Sequence, residues 1–167
     1  MPRAVSAAGQ VRSVHLKPET HGERGLPKLT VPKLELTRSG VSGDFNRYRH
    51  EEKHDDEAMA LLLLPEETLD ELVAEGWPVG PGHLGENVTT RGVHYAEFWP
   101  GRRFRVGEAE VVITKACDPC DNLYLLPYVG SSKGPEFLRT TLGRRGWYAR
   151  VAHGGWVRPG DEIRSIE

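Results

Sequence analysis

Apolar residues in this chain come in short, separated groups, not in long periodic runs. In residues 10–16, Val11, Val14 and Leu16 fit a first strand, which the polar stretch 17–26 ends. Across residues 28–37, Leu29, Val31, Leu34 and Leu36 are interleaved with polar residues and predict a strand. Pro32 has no N–H to donate and belongs at an edge or a bulge of it. Residues 39–44 carry turn chemistry, with two glycines free to take positive φ. Residues 45–57 are dense in charge of both signs and predict an exposed loop. The most apolar run follows at 58–64, short enough for a buried strand.

Pro65-Glu66-Glu67 predicts a helix start, because proline suits the first turn and acids favour its positive end. Leu69, Leu72 and Val73 then share one narrow face and Gly76 stops the helix, so it should pack on a sheet from outside. A loop at 78–85 leads into a short segment at 86–90. Residues 104–107 and 110–114 read as a hairpin turned at Gly107-Glu108. A short helix is predicted at 136–142, stopped by Gly143, and closing strands at 147–151 and 162–166. The 19 glycines and 12 prolines are spread along the chain, as turns between many short elements require. About eight strands with one or two short helices packed outside predict a mainly β, barrel-like fold, with a β-sandwich as the alternative. With no internal repeat and no linker, residues 1–167 read as a single domain.

Composition narrows the function. A length of 167 residues suits one domain with a real core. The 22 basic and 24 acidic residues leave a net charge of −2, which argues against a broadly basic nucleic-acid surface. The longest apolar run, 58–64, is too short to span a bilayer, and residues 1–10 lack the apolar core of a secretory signal. Two cysteines exclude a disulfide scaffold. The expectation is a soluble, cytoplasmic protein that acts on a small molecule.

Cys117-Asp118-Pro119-Cys120 is the feature most loaded with chemistry. A zinc site needs about four ligands, but there is one C-x-x-C, and His50 and His54 belong to a distant loop. A thioredoxin-like pair would follow a strand of a βαβ unit, and the pattern shows none there. Packed, inert thiols are the plain alternative. Pro119 turns the segment, so one thiol can face a pocket while the other faces the core. There is no G-x-S-x-G elbow, Walker A loop or G-x-G-x-x-G segment. His83, His94 and His153 stand alone beside turns and read as solvated or structurally bonded. Two basic clusters, Arg47-Tyr48-Arg49-His50 and Gly143-Arg144-Arg145-Gly146, suit a phosphate, since arginine forks onto oxygens where glycine lets the backbone approach. Solvated loops with scattered ion pairs are the competing reading. With a thiol in reach, the clusters describe a pocket for an anion and a soft atom.

Further motifs appear in a telling order: Gly43-Asp44, then Leu84-Gly85-Glu86-Asn87-Val88-Thr89-Thr90-Arg91-Gly92, then Cys117-Asp118-Pro119-Cys120-Asp121-Asn122-Leu123. Gly143-Arg144-Arg145-Gly146-Trp147-Tyr148-Ala149-Arg150-Val151 and Val157-Arg158-Pro159-Gly160-Asp161 complete the series. From about residue 10 to its end the chain resembles a stand-alone, bacterial-type MOSC domain, the module named after the C-terminal part of molybdenum cofactor sulfurase. The resemblance implies a β-barrel that binds molybdenum cofactor (molybdopterin). It maps the protein ligand to molybdenum onto Cys120, which is also the catalytic residue, and leaves Cys117 accessory or structural. It further implies Glu86 and Asn87 on the pterin, and Arg47, Arg49 and Arg144 on the phosphate side. The implied activity is an oxidoreductase that reduces N-hydroxylated compounds. Its electrons would come from partner proteins, since no flavin or iron–sulfur domain is visible in the chain. The alternative is a sulfur carrier with a Cys120 persulfide fed by a cysteine desulfurase, or a cofactor-transfer module. One departure stands out. Many members have an H-G-G stretch and a basic residue before the apolar strand, where this chain has His50-Glu51-Glu52-Lys53-His54-Asp55-Asp56-Glu57. Acids beside a phosphate repel it, so this loop must point away from the site, or the cofactor is bound differently or not at all.

Overall fold

The structure, a computed structural model, describes residues 6–23 and 25–167. Strand β1 (Ala8–Leu16) buries both Val11 and Val14, although a strand alternates faces every two residues. A shift in register between Val11 and Ser13 against its partner supplies the extra residue, so the bulge, not the alternation, puts both valines inside. The strand predicted at 28–37 is two strands. Pro32 breaks it, and β2 (Leu29–Val31) pairs with β1 while β3 (Leu34–Thr37) joins a separate three-stranded sheet with β4 (Gly40–Val41).

Residues 45–57 hold a short helix, α1 (Arg47–Lys53), in place of the predicted loop. It has no apolar periodicity to announce it. Instead the Asn46 side chain accepts from the Arg49 N–H at 3.0 Å, and His54 closes the other end in the left-handed region at φ 51°. The Arg49 guanidinium then donates to the carbonyls of Ser39, Asp55 and Asp56.

Strand β5 (Leu61–Pro65) is buried along its whole length, because both its faces are covered. Leu61 and Leu63 face the barrel interior, Leu64 a cluster under the outer helices, and Leu62 a third cluster with Met59, Cys117 and Tyr148. Helix α2 (Glu66–Ala74) lies where the sequence places it and crosses over to β6 (Val88–Arg91), which runs parallel to β5. The fold therefore holds one parallel crossover that the strand pattern did not disclose. β7 (Arg103–Val106) and β8 (Ala109–Ala116) form the expected hairpin. Helix α3 (Gly130–Thr141) starts six residues before its predicted beginning at 136. Its first half is poor in helix formers, and tertiary packing selects them: a Cβ on Gly134 would lie 2.2 Å from the Tyr124 ring. β9 (Trp147–His153), β10 (Gly155–Val157) and β11 (Glu162–Ile166) complete the chain.

The main sheet runs β11-β7-β8-β9-β5-β6-β1, and β11 pairs with β1, which closes a seven-stranded barrel with β2 added on β1. The barrel-like expectation holds, with three short helices where one or two were predicted. Among the described residues no helix is long and apolar enough to cross a membrane.

One end of the barrel is fixed by a buried polar junction. Asn87 donates its N–H to the Leu62 carbonyl at 2.8 Å, accepts from the Leu62 N–H through Oδ1 at 3.0 Å, and accepts from the His15 N–H at 2.8 Å. Its Nδ2 donates to the His15 carbonyl and, at 2.9 Å, to Asp44 Oδ2. Asp44 also accepts from the Lys17 N–H at 2.8 Å and from Lys28 Nζ at 2.6 and 2.7 Å. This Lys28–Asp44 pair is buried, so removing one partner strands the other charge. Lys28→Met is expected to lower unfolding free energy by about 3–5 kcal/mol. By contrast Lys33→Met, exposed over the Trp156 ring, should change it by less than about 1 kcal/mol. Urea titrations of the two variants check this, and equal costs would remove the junction's claim to hold the fold.

Candidate functional site

A shaped cleft of about 310 Å³ lies outside the barrel. Four segments build its wall: Leu26 and Lys28 before β2; Phe45, Asn46, Tyr48 and Lys53 around α1; Lys115 and Ala116 at the end of β8 with Asp118, Pro119 and Cys120 beyond it; and Arg145 with Tyr148 at the start of β9. Gly85 and the apolar side chains of Met59 and Leu62 complete it.

The two cysteines are free and differ in setting. β8 ends at Ala116, and the next N–H, that of Cys117, donates to the Gly146 carbonyl at 2.9 Å, so Cys117 still follows β9. Its side chain packs with Met59, Leu62 and Tyr148 and is 3% exposed. Burial pushes this thiol up, against the pull of Arg145 and the Tyr148 hydroxyl. The Asp118-Pro119 turn then re-aims the chain, and Cys120 caps a 3₁₀ turn over Asp121–Leu125 with its side chain on the cleft wall. C-x-x-C follows an antiparallel hairpin strand here, not the strand of a crossover unit. Among the described residues no group of three or more His, Cys, Asp or Glu gathers as a ligand set, and His50 pairs with Asp55 at the surface.

The arginines sort differently from the expectation. Arg145, the immediate neighbour of the expected Arg144, is the one in the cleft. It is 6% exposed, donates Nε to the Leu84 carbonyl at 2.9 Å and Nη1 to the Asp118 carbonyl at 3.2 Å, and forms no ion pair among the described residues. Burial opposes its charge, and the neighbouring sulfurs of Cys117 and Cys120 more than restore it, so the guanidinium stays a cation. Arg144 does not line the cleft. Its fork grips the Glu75 carboxylate at 2.6 and 2.8 Å and it donates to the Thr140 carbonyl. Nothing local separates the two arginines, because Glu75 lies 69 residues away. Arg49 is committed to three backbone carbonyls and is absent from this wall. Arg47 opens α1, and its side chain falls outside the described residues.

Glu86 and Asn87 lie buried behind the cleft, not on its wall. The resemblance implies pterin contacts for them; within the protein their side chains have internal partners. Asn87 is spent on the junction described above, and Glu86 Oε2 accepts from the Thr89 hydroxyl at 2.9 Å. The sequence reading missed Lys28, Lys53, Lys115 and Tyr148, all on the wall. Lys53 stands 5.6 Å from the Tyr48 ring centre, and neither Lys53 nor Lys115 forms an ion pair among the described residues. The five acids of residues 51–57 are exposed and none lines the cleft, so α1 turns its lysine and Tyr48 toward the cleft and its acids away. Asp118 is the one acid on the wall. A thiol, three unpaired cations and an apolar flank thus face one space, which suits an anionic ligand with a flat ring and a thiol-seeking atom.

Two buried titratable groups lie behind the cleft. Burial pushes Glu86 up to about 7, and His15, whose Nδ1 lies 3.2 Å from the Glu86 carbonyl, is pulled down to about 4 by burial and by Lys28.

The model of the family described as MOSC domain matches residues 50–164. No curated relative matches the chain in sequence. Among solved structures, the chain is similar to the YUAD protein from Bacillus subtilis at 20% identity and a TM-score of 0.78, over 96% of this chain and 97% of that one. It is also similar to YiiM from Geobacillus stearothermophilus, at 23% identity and TM-score 0.69, over 95% of this chain and 75% of that one. YiiM from Escherichia coli gives 22% and 0.66 over 95% and 70%. At these identities the likeness is one of fold.

The two buried groups give a pH prediction. Glu86 holds its proton in the folded state while the unfolded chain loses its own above 4.5, so Glu86 drains stability as pH rises from 4.5 to about 7. His15 stays neutral while the unfolded chain protonates below 6.5, so it drains stability as pH falls from 6.5 to about 4. The slopes oppose each other in the wild type. Glu86→Gln removes one, and stability should then rise with pH across this window, with a gain over wild type on the order of 3 kcal/mol above pH 7. Urea unfolding of both proteins across that range checks the sign.

Proposed function

This chain belongs to the MOSC domain family, and on that premise we propose that its cleft binds molybdenum cofactor with Cys120 as the protein ligand to the metal. One observation carries the reading: the accessible thiol and three cations without ion-pair partners, Lys53, Lys115 and Arg145, line the same cleft. The residues fit such a group. A thiolate is a soft donor suited to molybdenum, the cations suit a phosphate, and Leu26, Phe45 and Pro119 offer an apolar flank to a ring. When bound, the cofactor supplies two-electron redox chemistry that the twenty side chains do not. The loaded protein is an oxidoreductase for N-hydroxylated compounds, with electrons delivered by partner proteins.

The chain's own part is to bind, orient and exclude water. Cys120 is set on the wall by the Asp118-Pro119 turn and by the 3₁₀ turn that it caps. Arg145 ties the Leu84 and Asp118 carbonyls together, which fixes the loop that carries the thiol against the loop that carries Gly85. Lys53 and Lys115 stand at separate points of the wall and attract the anionic part of the ligand. Cys117 remains a packing thiol.

The test is to purify the protein from cells that make the cofactor and measure bound molybdenum and pterin. Wild type and Cys117→Ala are expected to carry both in proportion to protein, and Cys120→Ser to lose most of the metal. Wild type free of metal and pterin would overturn the reading. A Cys120 persulfide in protein without reductase activity would favour the sulfur-carrier role instead.

A further inference from the structure

The Arg145 guanidinium spends Nε and Nη1 on carbonyls, but Nη2 donates to no protein oxygen among the described residues. That edge meets Gly85, which lines the cleft with left-handed backbone at φ 87°. A Cβ at Gly85 would sit 3.4 Å from Arg145 Nη2 and 3.2 Å from Leu26 Cδ2. A side chain at 85 would therefore lie against that edge of the guanidinium. A buried cation without an ion pair among the described residues is costly to keep, and here it is kept beside the accessible thiol, on the wall of the cleft.

We infer that Arg145 and the cleft wall at Gly85 form an oxyanion subsite beside Cys120, which takes a carboxylate- or phosphate-type group of the molecule that reaches the thiol. The inference rests on the cleft as a ligand site around Cys120 and gives Arg145 a ligand-binding role in addition to its carbonyl clamp. Nε and Nη1 hold the loops, the Cys120 thiol lies within hydrogen-bond reach of the guanidinium, and the Nη2 edge, which meets no protein oxygen among the described residues, reads the ligand beside that thiol. Lys53 and Lys115 add attraction at the rim, whereas Asp118 opposes it, so discrimination between an anionic and a neutral molecule near the thiol falls on Arg145. Arg144, paired with Glu75, takes no part.

The experiment uses full-length protein from cells that cannot make molybdenum cofactor, so the subsite and the cofactor reading fail separately. In Cys117→Ala protein Cys120 is the sole thiol, and its alkylation is timed with iodoacetate and with neutral iodoacetamide. Both reagents break a carbon–iodine bond, form a sulfur–carbon bond and release iodide, so their ratio cancels the thiol's own reactivity. Arg145→Met should lower the iodoacetate-to-iodoacetamide ratio by about tenfold, the worth of one charge-assisted hydrogen bond, with Arg145→Lys in between. A fall in both rates with the ratio unchanged would overturn the inference and leave Arg145 a clamp alone. Should Arg145→Met lose its fold by circular dichroism, inorganic phosphate decides the matter on the Cys117→Ala protein. It should slow iodoacetate and leave iodoacetamide nearly unaffected; equal slowing, or none, overturns the subsite. Phosphate that competes while molybdenum never binds would keep the subsite and remove the cofactor reading.

Discussion

The Asn87 side chain holds the structure to one arrangement. It lies where β1, β5 and β6 meet, and it bonds to the backbone of β1 and of β5 and to Asp44. Asp44 in turn secures Lys28 and the Lys17 N–H. A buried polar group left unpaired is expensive, so a network with these donors and acceptors matched admits one register only. The parallel β5–β6 pair, the position of the loop before β2 and the back of the cleft all follow from it. Asp44 and Asn87, which belong to two of the family motifs, act as the frame on which the cleft is built.

The cleft inverts the economy of that frame. At the junction the Lys28 cation meets a carboxylate, whereas Arg145 is equally buried and meets carbonyls and thiols. Such a charge adds little to stability and much to the local field, because water that would screen it is largely excluded. Both thiols stand near that charge, but Cys120 opens on the cleft and Cys117 is packed among Met59, Leu62 and Tyr148, so two thiols three residues apart differ in access. The acidic residues of 51–57 do not cancel the field, since α1 presents them to solvent.

Elements with strong local signals were legible. The Pro65-Glu66-Glu67 helix start and the Gly107-Glu108 hairpin stand where turn chemistry places them, and the apolar run predicted as a strand over 58–64 is one from Leu61, after a 3₁₀ turn over Glu57–Met59. Elements that depend on partners were not. Helix α1 rests on an Asn46 cap and on Arg49 reaching carbonyls, without an apolar stripe to signal it. Helix α3 begins in glycine and serine because Tyr124 occupies the space that a side chain on Gly134 would need. Likewise Pro32 signals an interruption, but not that the two halves enter different sheets.

By itself the sequence determined a mainly β barrel-like domain, the family pattern, and which chemistry was present: two thiols, basic clusters beside glycine and an acidic loop. It also showed that Pro119 would let the two thiols part. The tertiary structure alone decided which arginine enters the cleft, which way the acids face, and that Glu86 and Asn87 stand behind the wall. The reason is range. Hydropathy, caps and turns act over a few residues, whereas Glu75 takes Arg144 from 69 residues away and Leu84 takes Arg145 from 61. Charge partners at such separations are fixed only once the barrel has closed.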